Sequence, residues 1–340
     1  MRYIYYVDNI LKSVNMMHAI ILLLIILILY ASTAVSYVCS DEKVRVSIES
    51  VESYGSVGES DLPYSNDAAE AFLDVFSGDS QFEYQWWHDY AAWHSDWWSE
   101  YVGGTWASYH VYRWHYAIFI GHGNEGIIVF GVTQDGPIED TNVVNLAGCT
   151  GDLEPHVYFH KVGSATAHTL WAIFASCKTL YDPEPWGTIS KVKLIAEWAF
   201  NGNGDLWDLT GTYLHGMVGM RTDFLQANGL GVDYALPTLQ AFGEKLKSGK
   251  PVKTAWFEAV SEHQRNCIGL FCTFVGKAAA LSLKMQAFDE NSQLVDEVNY
   301  VDCEGMYLYG TTYMDPREFL ETYTSQGYTV TYMWYYVYQP

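Results

Sequence analysis

Residues 116–123 read Tyr-Ala-Ile-Phe-Ile-Gly-His-Gly, an apolar block running into a Gly-His-Gly turn. A short continuous apolar run that stops at glycine predicts a strand buried on both faces of a parallel sheet. Residues 170–177, Leu-Trp-Ala-Ile-Phe-Ala-Ser-Cys, have the same form. Tyr213 to Met220 predicts a third central strand, ending near Arg221 and Thr222. In open α/β sheets the carboxyl ends of such strands are where ligands and chemistry gather. If the first two strands are neighbours, His122 and Cys177 share one rim.

Other blocks fill in the layers. Val44 to Glu49 alternates Val-Arg-Val-Ser-Ile-Glu, the period of a half-exposed strand. Asn66 is placed to cap a helix from Asp67 to about Phe76, with Gly78 as its stop. In Gln81 to Tyr101, the aromatics Trp86, Tyr90, Trp93, Trp97 and Tyr101 recur every three or four residues. That spacing predicts a helix packing a bulky stripe on the core, with an aromatic binding platform as the other reading. His88, Asp89, His94 and Asp96 then fall on its solvated face. Ile127 to Val132 predicts a strand, Gly131 to Pro137 a hairpin-like turn, and 139–160 an irregular excursion. Ser190 to Phe200, Pro237 to Leu246 and Val252 to Glu262 predict helices, the last two separated by Lys-Ser-Gly-Lys-Pro. Ala278 to Met285 predicts a strand, and a short helix after Asp315 leads into a Tyr-rich strand over 328–338. Strands alternating with helices, several ending at glycine, predict a three-layer α/β/α sandwich with a mainly parallel sheet.

Composition narrows the partners. Hydrophobic residues make up 49% of the chain, enough for a sizeable core. Eighteen Lys and Arg stand against 40 Asp and Glu, a formal charge of −22, which argues against nucleic acid. The 27 Tyr, 13 Trp and 15 Phe suit a protein outside the cell. The N-terminus agrees: Arg2 and Lys12 precede the apolar run Ala19 to Tyr30, and small residues follow. That order predicts a secretory signal over 1–36, or an uncleaved N-terminal anchor that would be the chain's one membrane contact. In an oxidising compartment Cys267 with Cys272, and Cys149 with Cys303, are disulfide candidates, while Cys177 is expected to stay reduced. No cysteine and histidine spacing reads as a metal site, and no phosphate-cradling or dinucleotide motif points to a cofactor.

Cysteine chemistry needs a thiolate, a nearby base and donors for an oxyanion. His122 supplies the base and Cys177 the thiol. Gly123 supplies a backbone N–H that no side chain would block, and Lys178 is placed to tune the thiolate.

Ile-Phe-Ile-Gly-His-Gly over 118–123 followed by Ile-Phe-Ala-Ser-Cys over 173–177 resembles the caspase-like cysteine peptidases, which include gingipains, clostripain, legumain and metacaspases. The Ser before the Cys is similar to metacaspases. Residues 242–256 resemble a segment of gingipain-like domains, and 46–51 with 68–72 resemble secreted prokaryotic caspase-like domains of unknown function. The resemblance covers 44–310 and leaves 311–340 as a Tyr-rich extension. It implies a caspase-like fold, a polypeptide substrate, His122 as catalytic His, Cys177 as nucleophile and Gly123 in the oxyanion hole. One departure stands out: two positions after Cys177, where many relatives carry Gly, this chain has Thr179. The expected function is an exported cysteine endopeptidase. The alternative is an inactive surface or adhesion protein with an aromatic binding face. A glycosidase using paired carboxylates ranks third, since no spacing nominates a pair.

Overall fold

The computed structural model describes residues 43–97, 114–131, 143–146, 169–182, 192, 195, 214–227, 231–268, 271–300 and 316–339. Of the two compact units into which the chain divides, the one formed by Met1–Glu42 and Leu308–Thr312 lies outside those residues, the predicted signal included. Among the described residues no helix is long and apolar enough to cross a membrane.

The second unit is built on an eight-stranded sheet. Strands β1 (Val44–Ser50), β2 (Phe82–His88), β3 (Tyr116–Ile120), β7 (Trp171–Ala175) and β8 (Gly216–Met220) form its parallel part, in the order β2-β1-β3-β7-β8. β11 (Ala278–Phe288) continues it antiparallel beside β8. β12 (Leu294–Asn299) takes over the same edge of β11 beyond β8, and β13 (Thr329–Tyr338) lines the opposite edge. Strands β4 (His122–Asn124), β5 (Ile127–Val129) and β6 (Val143–Asn145) make a small separate sheet, and β9 (Arg265–Ile268) with β10 (Phe271–Val275) a hairpin.

Pattern explains the two halves. The strands β3, β7 and β8 are buried along their whole length, which is why they read as unbroken apolar runs. Register sets Ile48, Ile118, Ile173 and Val218 in one row across four strands. Helices α1 (Ser65–Val75), α2 (Ala235–Lys247) and α3 (Val252–His263) cover one face, through Phe72, Phe242 and Trp256, with the Trp256 indole donating to Gly219 O at 2.9 Å. Ala117, Phe119, Ala172, Phe174 and Met217 face the other core, shared with Val192, Ile195 and Phe319 of α4 (Pro316–Ser325). Helices on both faces of a mainly parallel sheet make the predicted α/β/α sandwich. β13 differs: Val330, Tyr332, Tyr336 and Tyr338 pack inward, while Thr329, Thr331, Met333 and Tyr335 are exposed. Alternation is what a strand with one wet face requires.

Three expectations are corrected. The aromatic segment is not a helix: residues 82–88 form β2, and 89–91 and 94–96 are short 3-10 turns. The three-to-four spacing there is outweighed by the strand preference of aromatics and by a seven-residue parallel ladder with β1. His94 and Asp96 are accordingly buried rather than solvated, whereas Tyr90 is 68% exposed. β1 is not half-exposed: helix α1 packs against it, and Ser47, Glu49 and Ser50 are buried along with its apolar residues. Asn66 does not cap α1. The helix starts two residues earlier than predicted, at Ser65, and the Asn66 side chain turns to Ser50 and Asp89 instead. Of the predicted helix 190–200, Val192 and Ile195 are described, both helical and buried. Residues 98–101 and 132–142 lie outside the described residues.

Candidate functional site

β1 sits between β2 and β3, so the chain leaves it in one direction and returns on the other side. Crevices at such reversals are where open α/β sheets bind ligands. Three loops meet there: 51–64 after β1, the Gly-His-Gly turn after β3, and 176–182 after β7.

His122 opens β4, directly after Gly121. Its main-chain N–H donates to the Tyr54 hydroxyl at 2.8 Å, and that hydroxyl donates to Val129 O at 3.1 Å. The phenol therefore stands as a wedge between β4 and β5. The Tyr54 ring meets the imidazole edge-on, centroids 4.5 Å apart. Burial pushes the phenol's titration far above its ordinary range, so it stays protonated. The imidazole Nε2 lies 2.7 Å from Ser60 O. A carbonyl can only accept, so Nε2 carries the hydrogen and Nδ1 is left as the basic nitrogen. The sequence around Tyr54 and Ser60 holds no motif that announces either role.

The glycines are needed for close approach. A Cβ on Gly121 would collide with the Tyr54 hydroxyl and come within 2.8 Å of Phe119 Cζ. A Cβ on Gly123 would lie 2.9 Å from Ser176 Cβ and 3.1 Å from Cys177 O. The turn after β3 thus rests directly on the Cys177 segment. Two further bonds tie them: Gly121 N–H to Ala175 O at 3.3 Å and Gly126 N–H to Thr179 O at 3.3 Å.

Cys177 is a free cysteine, partly buried. Its partners come from the loop after β8. Phe224 N–H donates to Sγ at 3.4 Å, and the thiol donates to Phe224 O at 3.7 Å. Lys178 N–H and Leu180 N–H bond Thr222 O and Met220 O, which laces the two loops together. Gln264, fully buried at the end of α3, holds the outer loop by bonding both Leu225 N–H and Leu225 O. A lone Gln at a helix terminus carries no signal by which sequence alone would find it. Ser176 and Thr179 hydroxyls are 2.5 Å apart and buried, so Thr179 braces the Cys turn. Lys178 adopts a left-handed backbone, φ 52°.

Burial pushes the Cys177 thiol up, the Phe224 N–H pulls it down, Asp223 pushes up again and Lys178 pulls down; the balance lies above the ordinary range. Lys178 Nζ is 3.4 Å from Asp223 Oδ1, both about half exposed, so its charge is largely answered before it reaches the sulfur. Among the described residues no hydrogen bond joins His122 to Cys177. The two side chains follow neighbouring strand ends, the imidazole held by the β1 loop and the thiol by the β8 loop.

The backbone register of β9 and β10 sets Cys267 opposite Cys272, and Cys149 and Cys303 lie outside the described residues. Among the described residues no cluster of three or more His, Cys, Asp or Glu is arranged to hold a metal ion.

Residues 48–278 match the family model of a domain of unknown function, DUF6345. The chain belongs to the DUF6345 family. Both strand ends and the 51–64 loop fall inside the matched span. No protein of curated function matches the sequence. Among solved structures, a caspase-1 from Spodoptera frugiperda is similar over 71% of this chain and 90% of that one, at 9% identity and a TM-score of 0.40.

Proposed function

We propose that this DUF6345 chain is an exported cysteine endopeptidase in which Cys177 is the nucleophile and His122 the base. One observation carries the reading: the His122 Nε2–H held on Ser60 O at 2.7 Å, on the same rim as a free thiol. A base oriented by a third group, beside a nucleophile, is the arrangement that acyl transfer needs. In this reading the thiol turns from Phe224 toward Nδ1, which takes the proton as sulfur attacks the scissile carbonyl carbon. The Gly123 N–H donates a hydrogen bond to the carbonyl oxygen as that oxygen gains negative charge. The C–N bond breaks as the imidazolium protonates the leaving amine, and water then hydrolyses the thioester. A neutral resting thiol suits this order, since the proton moves only when substrate is present. Lys178 and Asp223 serve as a paired rim charge rather than a thiolate trigger.

The N-terminal run is proposed to export or anchor the chain at the cell surface, and the polypeptide substrate to be met there. Cys267 and Cys272 are proposed to bridge across the β9–β10 hairpin, which an intact mass two hydrogens below the reduced chain would register.

The direct test incubates the full-length protein with a panel of peptidyl acyloxymethyl ketones and reads adducts by intact mass. Wild type gains one adduct, and Cys177→Ala and His122→Ala gain none. An adduct that forms equally well in His122→Ala, or none with any peptide, sinks the peptidase reading. The second reading is an inactive surface protein. It is favoured by the exposed aromatics Tyr84, Tyr90 and Trp93 on and after β2. Glycan or cell-surface binding lost in Tyr90→Ala, with no peptidyl adduct, supports it.

A further inference from the structure

Asp89 is a non-glycine residue at φ 50°, in the left-handed backbone region that is uncommon for L-residues and that Asp enters more readily than most. It directly follows the edge strand β2 and points its carboxylate at the loop after β1. Oδ1 accepts Glu52 N–H at 2.8 Å and Ser53 N–H at 3.0 Å, and Oδ2 accepts the Asn66 amide at 2.8 Å. His88 Nδ1 stands 3.4 Å from Oδ2. Two consecutive main-chain N–H groups are thus gathered on one oxygen at the root of the loop. The next residue is Tyr54, whose hydroxyl takes the His122 N–H, and Ser60 in the same loop takes the imidazole Nε2–H.

We propose that Asp89 is a positioning residue for His122: its carboxylate sets the 51–64 loop, and the loop's Tyr54 hydroxyl and Ser60 carbonyl set the imidazole. This rests on His122 being the base, as proposed above. Asp89 touches neither ring nor thiol, so it acts only through the loop. The left-handed backbone is the cost of aiming a carboxylate from the end of β2 at N–H groups beyond the end of β1. The arrangement also explains why Asn66 is not a helix cap, since its amide completes the shell around Oδ2.

The test separates this claim from the peptidase reading by using a signal that needs no activity. The full-length protein is labelled with 15N-histidine, and His122→Gln assigns the His122 signals. Asp89→Gly deletes the carboxylate at a backbone angle glycine adopts freely, and Asp89→Asn keeps an oxygen for the two N–H groups. Wild type is expected to show one tautomer at neutral pH, with hydrogen on Nε2. Asp89→Gly is expected to show mixed tautomers and a fall of about tenfold or more in peptidyl adduct rate. Asp89→Asn is expected to restore the single tautomer and most of the rate. A single Nε2–H tautomer in Asp89→Gly overturns the proposal. If Asp89→Gly does not fold, mixed tautomers in a folded Asp89→Asn overturn it, and a single tautomer there supports it. A wild type that forms no adduct removes the peptidase reading, while the tautomer comparison still decides the role of Asp89.

Discussion

The ends of β3 and β7 lie side by side in register, Ile120 beside Ala175, yet they are built differently. At the β3 end the histidine is held by main chain, by ring face and by ring nitrogen, all from one loop. At the β7 end, among the described residues, the thiol's hydrogen bonds are long sulfur contacts to Phe224, and its surroundings disfavour charge. In the proposed peptidase reading this difference fits the two roles, since the base must keep its tautomer and the thiol must move. An imidazole free to rotate would offer either nitrogen, whereas a thiol bonded only through sulfur loses little by turning.

The contrast can be broken most completely at the thiol. Cys177→Ala should abolish peptidyl adducts while leaving the thermal unfolding temperature nearly unchanged, because a small partly buried side chain with weak sulfur bonds is lost. A large drop in that temperature would mean that Cys177 is structural. Next in size is Gly121→Ala. Its Cβ needs space taken by the Tyr54 hydroxyl and Phe119, so a loss of about 2–3 kcal/mol is expected in urea unfolding, as overpacking a filled site typically costs. Tyr54→Phe should follow, at about 1–3 kcal/mol, since it leaves the His122 N–H and Val129 O without their shared hydroxyl. Its adduct rate should fall as well; unchanged rate and stability would show that the wedge between β4 and β5 is dispensable. The smallest effect concerns pH. With the thiol raised above its ordinary range, iodoacetamide alkylation of Cys177 should reach half-maximum at a higher pH than an exposed cysteine does. Asp223→Asn should lower that midpoint and Lys178→Met should raise it, the two signs following from one charge that disfavours and one that favours the thiolate. For the folding equilibrium, a raised folded-state value means the thiol's contribution is complete at low pH. It is lost as pH climbs through that value.

The comparison also marks where reading residues one by one succeeds. Residues 116–120, 171–175 and 216–220 are legible because burial on both faces leaves no polar positions to interrupt them. β13 is legible for the opposite reason, its alternation recording one wet face. Residues 82–88 are not legible: Trp86, Tyr90, Trp93 and Trp97 carry helical spacing by coincidence, while pairing with β1 makes the first of them part of a strand. β12 carries little apolar signal, with Leu294, Val295, Asp296 and Glu297 exposed, and it exists because β11 outruns β8 and leaves an edge to fill. The same holds for the site. His122 and Cys177 are conspicuous because they end apolar strands. Tyr54, Ser60, Asp89, Phe224 and Gln264 are not, because each works through a main-chain group or on one, and main-chain groups leave no trace in residue identity.

Local chain chemistry thus settles which segments are interior strands, that helices cover them, and which two reactive side chains stand at the strand ends. Those properties depend on hydrophobic pattern over five to ten residues, which any stretch carries within itself. Which nitrogen of His122 is basic, why Gly121 and Gly123 tolerate no side chain, and why Lys178 does little for the thiol depend on partners 47–68 positions away or on a neighbour's charge. Only folding brings those partners together, because a hydrogen bond is decided by distance and direction in space, not by order along the chain.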